Sequence, residues 1–141
     1  MAVRPKPAPD TMSEPFWKAV AKQKLEVQRC ENCLRYQHPP KPFCFTCHSE
    51  DVSFVEISGK GVVYSYTETS SGARHPYWQE QSPYLTGTVE LDEQDGLFMA
   101  SNFPDSRLED LRIGKRVKVE FQKLDDGSYL PQFRLVADGD N

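Results

Sequence analysis

The sequence predicts a mainly β protein with an N-terminal helical segment, a small metal-binding ribbon and a C-terminal five-stranded barrel. Two C-x-x-C pairs lie close together between residues 30 and 47. After them, strand-like segments follow one another at short intervals, and glycines stand at several of the bends. Closely spaced strands of this kind favour a small closed or half-closed barrel, for which the OB-fold is the natural candidate.

Composition narrows the class of protein. The chain has 141 residues, with 17 Lys and Arg against 21 Asp and Glu, and therefore a formal net charge of −4. This acidic balance disfavours a nucleic-acid-binding protein, because phosphate contacts need an excess of cationic side chains. No apolar run approaches the roughly 18–20 residues of a membrane span, and the first residues lack the apolar region of a secretory signal. We therefore expect a cytoplasmic protein with reduced cysteines.

The N-terminal part divides into two segments. Residues 1–12 are rich in Pro and polar side chains, so we expect an extended, flexible lead-in. Residues 13–24 form a helical hook with Ser13 as its N-cap. Phe16 and Trp17 share one helical face with further apolar residues. These two aromatics either pack on their own domain or form a partner-binding surface, since exposed Phe and Trp are common anchors.

Residues 25–50 form the metal-binding ribbon. The cysteines follow the pattern Cys30-x2-Cys33-x10-Cys44-x2-Cys47, which supplies four thiolates for one tetrahedral structural ion. Zinc is the expected metal, and iron remains an alternative for a four-thiolate site. A redox dithiol would use one pair and leave the other unexplained. Three prolines between the pairs stiffen a tight, rubredoxin-like turn.

The two histidines near these cysteines, His38 and His48, are interpreted as bystanders because four thiolates already complete the ligand set.

Residues 51–137 form the barrel, followed by a flexible tail at residues 138–141. Residues 70–83 are expected to be a loop, because turn formers and aromatics mix there without core periodicity. A short helix or turn is expected at residues 105–111. The expected strands, each bounded by turn residues, cover residues 62–67, 84–91, 97–103, 113–121 and 129–136.

Several motifs occur in order between about residues 14 and 135. They are Phe16-Trp17, Leu25-x-Val27-Gln28-Arg29-Cys30-x-x-Cys33, Pro39-Pro40-Lys41-Pro42-Phe43-Cys44-x-x-Cys47, Gly59-Lys60-Gly61-Val62-Val63-Tyr64-Ser65-Tyr66-Thr67, Pro83-Tyr84, Val89-Glu90-Leu91-Asp92 and Asp110-Leu111-Arg112-Ile113-Gly114. Through them the sequence resembles the family called domain of unknown function 35. This resemblance implies an N-terminal helical stretch, a rubredoxin-like zinc ribbon and a C-terminal OB-fold. The chain departs from the family at Leu34 and His48, where the metal-binding knuckles often carry Gly.

The resemblance also implies a function. Similar proteins associate with thiolase-like enzymes or sit beside acyl-CoA hydratases, and they are thought to bind acyl-CoA or to shape the CoA channel of the partner. We therefore expect a non-catalytic accessory subunit of a hetero-oligomer, with the chemistry in a thiolase-fold enzyme or an acyl-CoA hydratase. In agreement, the sequence contains no G-x-S-x-G or P-loop motif. A purely architectural scaffold and an OB-fold nucleic-acid-binding module are the alternatives.

A CoA ligand needs cations for its phosphates and a flat apolar slot. Each residue proposed for these roles has an alternative, which is packing in the core or a solvated position on the surface. The expected acyl-CoA-binding residues are Arg74, Tyr77, Trp78, Arg112 and Lys115, and the first three of these cluster in the expected loop at residues 70–83.

Overall fold

The structure, a computed structural model, describes residues 1–137, so the tail expected at residues 138–141 lies outside the described residues. It is mainly β, as predicted. Among residues 1–137, no helix is long and apolar enough to cross a membrane. The elements are α1 (Glu14–Ala21), β1 (Glu26–Cys30), β2 (Tyr36–Gln37), β3 (Val52–Glu56), β4 (Lys60–Thr69), α2 (Pro76–Gln81), β5 (Tyr84–Leu91), β6 (Phe98–Asn102), a 3₁₀ turn (Leu108–Asp110), β7 (Arg116–Lys123) and β8 (Tyr129–Leu135).

Helix α1 packs one face on the rest of the protein. Phe16 and Val20 lie on that face and are buried. Ser13 occupies the predicted N-cap position, but its side chain makes no capping hydrogen bond to the helix. Its hydroxyl accepts a hydrogen bond from the Asp10 N–H at 3.1 Å, and the Asp10 carboxylate accepts one from the Ser13 N–H at 2.7 Å. This reciprocal pair defines the turn before the helix instead.

The ribbon contains a small antiparallel sheet in the order β2-β1-β3. Strand β1 ends at Cys30, which pairs with Val52 of β3. On the other side of β1, Arg29 pairs with Tyr36 of β2. Strand β3 thus belongs to the ribbon sheet, although it follows residue 50, where the sequence places the boundary with the barrel.

The second sheet is an antiparallel barrel in the order β6-β5-β4-β7-β8. The barrel is nearly closed, and its seam lies between β6 and β8. The Phe133 N–H of β8 crosses this seam and donates to the Ser101 hydroxyl of β6 at 2.9 Å. Strand β4 pairs with both β5 and β7 and contains a bulge between Val63 and Ser65. The predicted five-stranded OB-fold is therefore confirmed.

Two glycines are needed at bends and close approaches. Gly59 has a φ of +75°, a backbone conformation that L side chains rarely adopt. It lies in the bend that joins β3 to β4. Gly87 of β5 lies so close to the bulge of β4 that a Cβ would overlap the carbonyl oxygen of Ser65.

One hydrophobic core joins the helix, the ribbon and the barrel. Val27 of β1 and Val20 of α1 belong to the same cluster of buried side chains as the barrel residues. Burying each such side chain contributes roughly 1.5–3 kcal/mol. The cluster contains Phe16, Val20, Leu25, Val27, Ile57, Val63, Leu85, Val89, Leu91, Leu97, Met99, Phe103, Leu111, Val117 and Phe133.

A short helix, α2, occupies part of the segment that was expected to be a loop at residues 70–83. Pro76 stands at its first turn, where the fixed φ of proline suits a helix. His75 caps it, because the ring Nδ1 accepts a hydrogen bond from the Tyr77 N–H at 3.1 Å. The helix turns Tyr77 and Trp78 towards the barrel.

Candidate metal centre and barrel cleft

The four cysteines come together at one end of the ribbon. Their sulfur atoms all lie within 4.8 Å of one another. The Cys30 and Cys47 sulfurs are 3.6 Å apart, and so are the Cys33 and Cys44 sulfurs. A tetrahedral ion with metal–sulfur bonds of about 2.3 Å would separate its ligand atoms by about 3.8 Å. The cluster can therefore hold one metal ion, which agrees with the ligand set predicted from the spacing.

Hydrogen-bond donors stabilise negative charge on two of these sulfurs. The N–H groups of Cys47 and Thr46 lower the pKa of Cys44 to about 6, and the Thr46 nitrogen is 3.3 Å from the Cys44 sulfur. The side chain of Asn32, 3.5 Å from the Cys47 sulfur, is the main cause of the lowered pKa of Cys47. Thiolates rather than thiols bind metal ions, so these donors favour ligation.

The two knuckles keep the backbone conformation of glycine without having glycine. Leu34 has a φ of +67° and His48 a φ of +66°. The Leu34 N–H donates to the Cys30 carbonyl at 2.9 Å, and the His48 N–H donates to the Cys44 carbonyl at 2.9 Å. Leu34 and His48 thus adopt the left-handed conformation that glycine allows, although their side chains disfavour it.

The interpretation of His38 as a bystander agrees with its surroundings. His38 lies outside the sulfur cluster, and its ring stacks on Phe16 with the centroids 5.5 Å apart. Its Nδ1 is buried, with no hydrogen-bond partner among the described residues. Burial lowers the pKa of His38, so the ring is held in its neutral form.

Two of the predicted acyl-CoA-binding residues lie in a cleft of about 330 Å³ on the barrel. Tyr77 and Trp78 of α2 line it on one side. Their rings meet edge to face with the centroids 5.0 Å apart, and the centroids of the Trp78 and Tyr84 rings are 4.7 Å apart. Arg74, although close in sequence, is exposed and does not line the cleft. Tyr77 and Trp78 thus form an aromatic wall together with Tyr84, which was not predicted, and Arg74 is absent from it; acyl-CoA binding at this wall stays a prediction.

The other two predicted cations lie elsewhere. Arg112 is exposed on the connection between β6 and β7 and lines neither this cleft nor the next. Lys115 lines a neighbouring cleft of about 360 Å³, which shares Asp105 and Arg134 with the first. The structure therefore groups Tyr77 with Trp78, places Lys115 nearby and separates both arginines from them.

Sequence reasoning missed the polar residues that line this cleft. Arg4 enters it, and the amides of Asn102, Gln122 and Gln132 face Arg4. Gln132 alone carried a signal, because a glutamine in the last predicted strand, next to the apolar Phe133, marks a polar group at the core. The contacts of Arg4 span about a hundred residues of sequence, so no local pattern could reveal them.

The two aromatics of α1 divide between core and surface. Phe16 is only 7% exposed and belongs to the core, which favours the alternative that it packs on its own domain. Trp17 is half-buried against the same core and contacts Phe16 edge to face at 5.0 Å. Trp17 also lines a shallow cleft with Pro7, Pro9 and Tyr129. A role of either residue in partner binding stays a prediction.

Family models match two adjacent parts of the chain. The model described as ChsH2, rubredoxin-like zinc ribbon domain, matches residues 17–53. The model described as ChsH2, C-terminal OB-fold domain, matches residues 54–122. Their boundary falls within β3, and their order is that of the ribbon and the barrel in the structure.

A probable enoyl-CoA hydratase alpha subunit of Thermomonospora curvata is 37% identical over 134 residues, or 94% of this chain. The chain spans only 40% of the length of that relative.

Two solved structures also resemble the chain. A DUF35-family protein of unknown function from Sulfolobus solfataricus, at 16% identity and a TM-score of 0.62 over 89% of this chain and 86% of its own, supports the fold alone. A structure described as Ltp2-ChsH2(DUF35) aldolase has a TM-score of 0.80 and 32% identity, covering 92% of this chain and 98% of that one. The chain therefore belongs to the ChsH2 family of DUF35 proteins, which join a rubredoxin-like zinc ribbon to an OB-fold domain.

Proposed function

We propose that this chain is a non-catalytic accessory subunit that binds a thiolase-like or acyl-CoA-processing enzyme and helps to bind or channel acyl-CoA. The observation that carries the proposal is its likeness to nearly the whole of a chain in the Ltp2-ChsH2 aldolase structure. The relative named as an enoyl-CoA hydratase subunit supports the same class of substrate. One name is that of an aldolase assembly and the other that of a hydratase subunit, so each describes an enzyme with more than one kind of chain.

The side chains that could carry chemistry have structural roles, which supports placing catalysis in the partner. The four cysteines gather in one cluster. The Nδ1 of His75 caps α2, and the ring of His38 stacks on Phe16. The His48 ring packs edge to face on Phe43 with the centroids 6.2 Å apart. None of these arrangements resembles a nucleophile oriented by a general base.

Zinc is the ion that we propose for the cysteine cluster. The four sulfurs fit a tetrahedral site, and such closed thiolate sites are structural. Bound zinc would cross-link the two knuckles and leave no open coordination position for a substrate. Elemental analysis of the purified protein tests this, and one zinc ion per chain is expected. A visible absorption band of iron–thiolate bonds would instead identify the metal as iron.

The exposed apolar side chains of the ribbon are the surface that we propose for the partner enzyme. Leu34, Phe43 and Phe45 are 55%, 39% and 59% exposed, and the two phenylalanine rings lie 5.5 Å apart. An apolar cluster of this kind is a common feature of protein interfaces. Trp17 of α1 is a second candidate contact, as the sequence suggested.

Affinity purification tests the proposed function. The tagged protein is recovered from its native lysate after nuclease treatment, and bound proteins are identified by mass spectrometry. A stoichiometric thiolase-fold enzyme or hydratase is expected, and its amount should fall in a Phe43→Ser/Phe45→Ser variant. Ile113→Ser is the matched control, since Ile113 is 74% exposed but belongs to the barrel. Recovery of no CoA enzyme, with nucleic acid co-purifying when nuclease is omitted, would favour the nucleic-acid alternative.

The affinity of the complex for acyl-CoA distinguishes a purely architectural scaffold from a subunit that contacts the ligand. If the subunit contacts acyl-CoA through the barrel cleft, Trp78→Ala should weaken binding of acyl-CoA by the purified complex. Arg74→Ala and Lys115→Ala test two of the predicted cations. A complex that forms normally and binds acyl-CoA equally well in all three variants would indicate a scaffold that does not touch the ligand.

A further inference from the structure

The first residues of the chain cross the barrel in extended form. The Ala2 N–H donates to both carboxylate oxygens of Glu80 at 3.1 Å. Two residues later, the Arg4 guanidinium enters the barrel cleft. After another two, the Lys6 ammonium lies 3.2 Å from the Asp126 carboxylate. Every second residue therefore contacts the barrel, which is the repeat of an extended strand.

Arg4 fits a socket built from neutral acceptors. Its Nη1 donates to Oε1 of Gln132 at 3.0 Å and to Oε1 of Gln122, and its Nη2 donates to Oδ1 of Asn102 at 2.9 Å. The guanidinium also lies over the Trp78 ring, 5.2 Å from the centroid, where a cation–π contact adds attraction. No carboxylate within residues 1–137 lies at ion-pair distance from Arg4. The socket therefore recognises the shape and donors of a guanidinium rather than positive charge alone.

The acceptors of the socket are held in place by further hydrogen bonds. The Nε2 of Gln132 donates to Glu120 at 2.7 Å, so its Oε1 must face Arg4. The Nδ2 of Asn102 donates to the same Oε1 at 3.0 Å. Glu120 in turn accepts from Arg134 at 2.7 and 2.9 Å. This network orients the amides of Gln132 and Asn102 independently of Arg4, since none of its other bonds involves the first residues of the chain.

Acidic groups lie at both ends of the socket. Glu80 of α2 stands at one end, and Asp125 and Asp126 of the turn between β7 and β8 stand at the other. Ion pairs as exposed as that of Lys6 contribute less than about 1 kcal/mol each. The acidic ends therefore favour a cationic segment in general, while the partly buried socket selects an arginine.

We propose that this groove, bounded by Glu80 and Asp126, is a binding site for an extended cationic peptide with an arginine anchor, and that residues 2–6 occupy it in cis. Arg4 stands between two cavities of about 330 and 450 Å³, and both are also lined by Trp78 and Asn102. Withdrawal of the segment joins them into one groove along the barrel. This inference does not depend on the partner enzyme, although the peptide would occupy the same barrel cleft that the acyl-CoA test addresses.

The test uses the full-length chain and a fluorescent peptide with the sequence of residues 1–12. The tethered segment has an effective concentration of roughly millimolar, so the wild-type chain should bind the free peptide poorly. An Arg4→Ala chain frees the socket and should bind the peptide about tenfold more tightly. The matched peptide with Arg4→Ala should lose at least about tenfold in affinity, and Arg4→Lys should also weaken it because lysine lacks the planar fork.

The location of binding is checked with a second substitution. Trp78→Ala in the Arg4→Ala chain should remove the gain in affinity, whereas Lys6→Ala in the peptide should change affinity by only about threefold. Should the Arg4→Ala chain melt at a lower temperature, the Arg4→Lys chain replaces it. Equal binding by wild-type and variant chains, or equal binding of peptides with and without the arginine, would overturn the proposal.

Discussion

The side-chain amide of Gln94 pairs with the backbone of Tyr36 as a neighbouring strand would. Its Oε1 accepts from the Tyr36 N–H at 2.9 Å, and its Nε2 donates to the Tyr36 carbonyl at 2.9 Å. Tyr36 lies in β2, at the edge of the ribbon sheet, while Gln94 lies in the turn between β5 and β6. A barrel residue thus satisfies both backbone groups of a ribbon residue, which fixes how the two modules sit together.

We expect Gln94→Ala to lower the free energy of unfolding by about 1–3 kcal/mol, because two partly buried backbone groups lose their partner. Urea unfolding measures the change, and hydrogen exchange at the Tyr36 amide should become faster. Asp95→Ala is the control: Asp95 is exposed in the same turn, and its substitution should change stability by less than about 0.5 kcal/mol. Equal effects of the two substitutions would contradict a specific role for Gln94.

A second glutamine holds the loop between the cysteine pairs. Gln28 is only 3% exposed. Its Oε1 accepts from the Lys41 N–H and from Gln37 Nε2, each at 2.8 Å, and its Nε2 donates to the Lys41 carbonyl at 2.9 Å. Gln28→Leu should destabilise the protein by about 3 kcal/mol, since the leucine leaves these buried partners unsatisfied.

Gln79→Leu provides the comparison for Gln28 in the same urea experiment. Gln79 also donates to a backbone carbonyl, that of Ala73 at 2.9 Å, but it is exposed. Water can replace its hydrogen bond, so a loss of less than about 1 kcal/mol is expected. If both leucine variants were equally stable, burial would not explain the importance of Gln28.

The left-handed knuckle residues predict a stabilising substitution. Leu34 is 55% exposed and has a φ of +67°, so Leu34→Gly removes little packing and relieves about 1–2 kcal/mol of backbone strain. The greater freedom of glycine in the unfolded chain offsets about 0.5–1 kcal/mol of this gain. A net increase in the melting temperature of the metal-loaded protein is expected. The neighbouring exposed Arg35 has an ordinary φ, so Arg35→Gly should lower the melting temperature instead.

Loss of a ligand should affect folding of the ribbon. Cys30→Ser and Cys44→Ser are each expected to abolish metal binding and to give poorly soluble protein, because structural zinc contributes roughly 10 kcal/mol or more to such small sites. Thr46→Ala is a suitable control, since it keeps the backbone N–H that points at the Cys44 sulfur. Metal content and thermal melting are the measurements. A soluble, metal-free Cys44→Ser protein with unchanged melting would contradict a structural role for the metal.

Local sequence patterns were sufficient for the metal site and for the barrel. Each C-x-x-C pair forms one knuckle, so its ligands are close whatever the rest of the chain does. The alternation of apolar and polar residues along a strand likewise indicates which side faces the core, and Val117, on the apolar side of β7, is indeed buried. Helix α2 had a local signal too, a capping residue before Pro76, but its aromatic content favoured the loop interpretation.

The barrel cleft could be predicted only in part. Tyr77 and Trp78 were correctly grouped because they are adjacent in sequence. Arg4 was not found, since its partners Asn102 and Gln132 are 98 and 128 residues away. Charge alone does not say where a cation will lie, and Arg74, the nearest cation in sequence to the two aromatics, is exposed outside the cleft.

The carboxylate of Glu120 predicts a specific dependence of stability on pH. Hydrogen bonds from Arg134, and a further one from Gln132, lower its pKa below the ordinary value of 4.5. A carboxyl group with a lowered pKa in the folded state stabilises the fold at pH values above its unfolded pKa. This stabilisation is lost as the pH falls through the lower, folded value. Because the side chain is about one-third exposed, solvent screening limits the contribution to about 1 kcal/mol.

Glu120→Gln should therefore reduce stability at pH 7 and flatten its decrease below about pH 4.5, because the amide cannot be protonated in this range. Thermal melting between neutral and acidic pH measures both effects. Protonation of the cysteine cluster occurs in both proteins and cancels in their difference. Glu109→Gln serves as the control: its carboxylate is 68% exposed and pairs with Arg107, which is 77% exposed. A Glu120→Gln protein whose melting temperature falls with pH as steeply as that of the wild type would show that the Glu120–Arg134 pair does not contribute to acid sensitivity.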